Sequence, residues 1–243
     1  MNNQKTALIV GAGEALGGAV AKRFAQAGYT VCACRRNGEK LQPLVDEITA
    51  AGGIIHPFAV DARDEEQITE LFTHIEANIG PLEVVVFNIG ANVRFNIVDT
   101  TSRVYRKVWE MAAFAGFLTG REAAKQMLPR QQGTIIFTGA TASVRGRDGF
   151  AAFASAKHAL RALAQSMARE LGPQGIHVAH VIVDGAINTP WIRENFPEMA
   201  AEKEPIDGLL NPDHIAESYY QLHLQPRTAW THELDLRPWV ETW

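Results

Sequence analysis

Along this chain, short runs of almost unbroken apolar residues alternate with longer stretches where apolar positions recur every three or four residues. The short runs are TALIV (6–10), TVCAC (30–34), IIHPFAV (54–60), VVVFN (84–88), TIIFT (134–138) and HVAHVIV (177–183), each bounded by turn-forming residues. Runs of this length and make-up read as strands covered on both faces. After the first run, Leu16, Val20 and Phe24 stand four apart, which predicts a helix with one apolar face. EKLQPLVDEITAAG and DEEQITELFTHIEANIG predict helices after the second and third runs, and long helical regions are predicted at 93–129 and 150–171. Near the end, NPDHIAESYYQLHLQ reads as a capped amphipathic helix and THELDL as a last short strand. Strands alternating with helices predict an α/β fold: an open, doubly wound parallel sheet of about seven strands, helices on both faces, joined by right-handed crossovers. No repeat or linker divides residues 1–243, so one domain is predicted. Only the segment near 190–210, with three prolines among mixed apolar and charged residues, breaks the pattern, and it reads as a mobile lid.

Composition narrows the function classes. The 243 residues are 47% hydrophobic and 21% charged, enough for a large core and an ordinary solvated surface. A net charge of -4 without a basic run argues against nucleic acid as a partner. No apolar stretch is long enough to span a bilayer, and MNNQK leads into the first strand without a leader's apolar core, so no membrane partner and a cytoplasmic location are expected. Cys32 and Cys34 alternate along one strand and read as buried thiols. His177 and His180 face opposite ways on another strand, and no metal-ligand spacing occurs.

VGAGEALGGAV follows the first strand, and a glycine-rich turn between strand and helix lets backbone N–H groups and the helix dipole meet a pyrophosphate. Its spacing is Gly11, three residues, Ala15, Leu16, Gly17. This resembles the glycine turn of the short-chain dehydrogenase/reductase family, with alanine for the middle glycine, on a Rossmann-type sheet. The second strand ends in CRRNGEK, where an acid would hold the ribose 2′-hydroxyl of NAD and arginine the 2′-phosphate of NADP. Arg35 and Arg36 stand there without a competing carboxylate, so NADP(H) is expected to be preferred and NAD(H) remains open; solvated surface arginines are the plain alternative. Asp61 resembles the family's adenine-side aspartate and equally suits a helix cap. Asn88 and Gly90 in FNIGA resemble the motif after the fourth strand. Gly185, Ile187 and Thr189 in DGAINT resemble the segment beside the nicotinamide, with Asp184 where proline is usual.

The resemblance runs nearly the whole length of the chain and implies a chemistry that can be checked position by position. Family members use a tyrosine proton donor, a lysine four residues later, a serine on the substrate oxygen and an asparagine that orders a water. Here FASAK places Phe153 at the tyrosine and Lys157 at the lysine, TIIFTGATAS places Ala140 at the serine, and VWEMAAFAG places Ala113 at the asparagine. Phenylalanine keeps the ring but neither donates nor accepts a hydrogen bond. Lys157 then reads as a ribose ligand, against the alternative of a snorkelling surface lysine. Asp184 suits either a charge beside the nicotinamide or a plain turn. Thr138, Thr141 and Ser143 flank the lost serine, His158 lies about 100° around the helix from Lys157, Arg145, Arg147 and Asp148 suit the substrate mouth, and Trp191, Arg193 and Phe196 suit a lid.

These readings predict an NADP(H)-binding oxidoreductase acting on an unidentified small carbonyl or alcohol through non-standard catalysis. The alternative is an inactive NADP(H)-binding sensor or scaffold. The family resemblance also implies a homotetramer or homodimer built on the two long helices.

Overall fold

The computed structural model describes residues 5–242; residues 1–4, read above as lacking a leader's apolar core, lie outside the described residues. Seven strands form one sheet: β1 (Thr6–Val10), β2 (Thr30–Arg35), β3 (Ile54–Ala59), β4 (Leu82–Phe87), β5 (Gly133–Thr138), β6 (Ile176–Val183) and β7 (Glu233–Leu236). Their order is β3-β2-β1-β4-β5-β6-β7 and every pairing is parallel. The helices are α1 (Leu16–Gln26), α2 (Gln42–Ala50), α3 (Glu65–Asn78), α4 (Ser102–Trp109), α5 (Ala115–Met127), α6 (Ala151–Leu171), α7 (Pro190–Asn195), α8 (Pro197–Lys203) and α9 (Pro212–Leu224). This is the expected doubly wound sheet of the Rossmann type.

Strand alternation sorts the core into two layers. From β1, Ala7 and Ile9 pack with Val20, Phe24 and Tyr219 on one face. Leu8 and Val10 pack with Phe72, Leu118 and Leu160 on the other. Both faces of β1 are therefore dry, which is why its sequence is an unbroken apolar run. β3, at one edge, is only partly buried, and its sequence tolerates His56 and Pro57. Cys32 and Cys34 are buried free thiols on the second layer, and burial pushes both up to about 12, so they are inert.

Two elements carry detail beyond the simple reading. The long helical region is interrupted between α4 and α5 by a wide, π-type turn at Glu110–Phe114. The segment expected to be a mobile lid forms α7 and α8, with Thr189 capping α7 through its hydroxyl. Among the described residues no helix is long and apolar enough to cross a membrane.

Candidate functional site

Reversal of strand order between β1 and β4 opens a crevice at the carboxyl ends of the strands, where ligands of such sheets bind. A cleft of about 720 Å³ lies there, adjoined by a second hollow of about 560 Å³ that shares Gly11, Gly13, Arg35 and Asn88 with it. Gly11 has φ +92°, and its N–H bonds to the Cys34 carbonyl at 2.9 Å, tying the turn to β2. A side chain at Gly17 would come within 2.4 Å of the Gly11 carbonyl oxygen, so α1 can start this close to the turn only with glycine there. Ala15 and Leu16 complete the wall, and the Asn88 amide donates to the Gly11 carbonyl at 3.2 Å. Gly90 lines both hollows in open space.

The second hollow gathers positive charge. Arg35, Arg36 and Lys40 reach it from the end of β2, and Arg63 from the end of β3. Arg63 holds the Asp61 carboxylate through two bonds of 2.9 and 2.5 Å and keeps it below its ordinary range. The cap of α3 is Asp64, which accepts from Gln67 N–H at 3.1 Å, so Asp61 does not serve there. Sequence reasoning did not single out Lys40 and Arg63. Lys40 sits in the same CRRNGEK stretch as the two arginines, whereas Arg63 is marked only by its nearness to Asp61.

Lys157 and Phe153 share the inner face of α6 and both line the larger cleft. The lysine is almost fully buried; its Nζ donates to the carbonyls of Thr138 at 2.8 Å and Ile89 at 3.2 Å and lies 5.9 Å from the Phe153 ring centre. Burial without a counter-ion lowers it to about 8. A snorkelling surface lysine is thereby excluded. Ala140 lines the cleft beside it, and Ala113 is buried in the wide turn between α4 and α5. Each hydroxyl that flanks Ala140 has a hydrogen-bond partner. Thr138 accepts from Tyr219 at 2.9 Å, Thr141 donates to Asp184 at 2.6 Å, and Ser143 accepts the Ala140 N–H at 3.1 Å.

Asp184 is not a turn residue. Its N–H bonds to the Leu236 carbonyl, and its buried carboxylate takes Arg145 Nη2 at 2.9 and 3.0 Å, with Arg237 at 3.6 Å. Gly185, Ile187 and Thr189 then follow along the cleft wall. Arg145, Arg147, Phe150 and Trp191 close the far end, with Phe196 edge-on to Trp191 at 5.6 Å. Arg193 turns away to Glu204, Asp148 to Arg94, and His158 to the Ala154 carbonyl.

A family model described as short chain dehydrogenase matches residues 5–200. The chain belongs to the short-chain dehydrogenase family. Among its relatives, the 2,3-dihydro-2,3-dihydroxybenzoate dehydrogenase of Bacillus subtilis is 28% identical over 228 residues, which span 88% of this chain and 87% of that protein. The crystal structure of a short-chain dehydrogenase from Rhodopseudomonas palustris is 51% identical, covers 97% of this chain and 99% of its own, and superposes with a TM-score of 0.84. ElxO with NADP bound shares the fold at 23% identity, with a TM-score of 0.87 over 96% of each chain.

Proposed function

We propose that this family member is an NADP(H)-dependent oxidoreductase of a small carbonyl or alcohol compound, in which Lys157 holds the nicotinamide ribose and residue 153 supplies no proton. The observation that carries the reading is the continuous hollow from Arg36 to Lys157, with a glycine cradle at its middle that a Cβ would fill. The residues fit the cofactor. Gly11, Ala15, Leu16 and Gly17 would face the pyrophosphate, Arg35 and Arg36 the 2′-phosphate, and Asp61 the adenine side. Asn88, Gly90, Gly185, Ile187 and Thr189 would border the nicotinamide half. ElxO, described with NADP bound, supports a nicotinamide cofactor by shared fold.

When bound, the nicotinamide supplies or accepts hydride. Lys157 contributes an ammonium at the ribose, with one donor beyond the two used by backbone carbonyls. Phe153, Ala140 and Ala113 lack the hydroxyls and amide of the usual family tetrad, so Phe153 and Ala140, which line the cleft, would contribute only by positioning the substrate. The exposed row Trp109 and Phe117, stacked through Phe114 along α4 and α5, suits packing against a second copy.

Fluorescence titration tests the cofactor assignment. NADPH is expected to bind at least about tenfold tighter than NADH, and Arg36→Ala to remove most of that difference, as for a lost charge-assisted bond. Equal affinities before mutation reject it.

A further inference from the structure

The far end of the cleft carries charge of one sign. Glu14, in the glycine turn, is the one acid lining the cleft among the described residues, and it sits at the opposite end. Beyond Lys157 the charged lining residues are Arg145 and Arg147. Arg145 is already neutralised by Asp184. Arg147 is exposed and has no acidic partner among the described residues: its neighbour Asp148 pairs instead with Arg94 at 3.7 Å. Aromatic and small apolar residues make up much of the remaining lining, with Asn92, Thr141 and Thr189 as its polar members. Phe150, Phe153 and Trp191 line the cleft together with Ala140 and Ala142. A cation would meet only like charge there.

We propose that the substrate is a small carboxylate with a flat apolar body, its carboxylate received by the Arg147 guanidinium and its body lying between Phe150, Phe153 and Trp191. The inference rests on the nicotinamide lying at Lys157. A planar fork of N–H donors matches the two oxygens of a carboxylate and prefers it to a lone point charge. Aromatic walls favour a flat partner by offset stacking. Trp191 is 59% exposed, so covering it with substrate removes apolar area from water.

Calorimetry on NADP-loaded protein tests this with benzoate, phenylacetate and 3-phenylpropionate, their primary amides, and phenyl phosphate. At least one acid is expected to bind about tenfold tighter than its own amide. Arg147→Ala should abolish that ratio while leaving NADPH affinity within about twofold. Arg147→Lys, which keeps the charge without the fork, should retain part of it. The inference is overturned if no acid outbinds its amide, if the ratio survives Arg147→Ala, or if phenyl phosphate outbinds every acid. Failure of NADPH to bind would instead overturn the proposed function. The same titrations on nucleotide-free protein then decide the Arg147 assignment separately.

Discussion

On the proposed reading, Phe153 stands at the family's tyrosine and lacks its phenolic oxygen. The ring stays packed on α6, 5.9 Å from the lysine ammonium, with nothing to donate. A missing general acid lowers rate by roughly two to four orders of magnitude, and a missing partner for the substrate oxygen by roughly two to three more. Residues acting as a unit do not add, so restoring one atom leaves most of the deficit. Phe153→Tyr alone is therefore expected to raise NADPH oxidation across a panel of aldehydes and ketones by less than about tenfold. Ala113→Asn/Ala140→Ser/Phe153→Tyr together should raise it by about a hundredfold or more. High turnover from the single variant would show that the other two positions do not matter. In the sequence this pattern is an expectation, drawn from the family spacing at four positions. The sequence does not reveal that Thr138, Thr141 and Ser143 are spoken for, since their partners Tyr219, Asp184 and Ala140 are set by tertiary packing and by one local turn.

Among the elements, the end of β6 is held by contacts from two distant segments. Asp184 anchors Arg145 from the loop before α6 and Arg237 from just beyond β7, while Arg237 also pairs with Asp235. Removing the Asp184 charge leaves Arg145 partly solvated without its carboxylate, while Arg237 keeps Asp235. Asp184→Asn should lower unfolding free energy by about 1–2 kcal/mol, seen as a lower urea midpoint with an unchanged slope. An unaltered midpoint would mean that Arg145 finds water without difficulty. The inner strands are legible in the sequence because burial on both faces demands continuous apolar runs, whereas the edge strands β3 and β7 are only partly buried and read through their place in the alternation. The clamp is not legible, because Asp184 and Arg237 stand far apart in the chain and Asp-Gly is also a common turn. The wide turn at 110–114 is silent for another reason: EMAAF is good helical sequence, and one extra residue per turn leaves no compositional mark.

The whole molecule carries a sensitivity to acid that follows from how its strands and α9 meet. His180, on β6, is fully buried facing Glu233, with Lys157 and Arg161 also near. His223, on α9, touches Tyr29 at 2.7 Å and Thr134 at 2.9 Å, with Lys5 and His177 around it. Desolvation pushes each imidazole down to about 4, against the pull of Glu233 at His180 and with nearby Lys5 helping at His223. An unfolded histidine titrates near ~6.5. The folded state therefore binds fewer protons than the unfolded one between these values. The stability that neutral histidines contribute is fully present above about pH 6.5 and is lost as pH falls toward about 4. Between about pH 7 and pH 5 the loss is about 2 kcal/mol for each histidine. Asp61, Glu217 and Glu233, all held below their ordinary values, keep their charge throughout that window and add their effect only in stronger acid. Urea unfolding of nucleotide-free protein should thus show about 4 kcal/mol less stability at about pH 5 than at about pH 7. His223→Gln should remove about half of that difference while keeping a polar group for Tyr29 and Thr134. Equal stability at the two pH values would place both rings in contact with water, and the packing of α9 against the sheet would be looser than described.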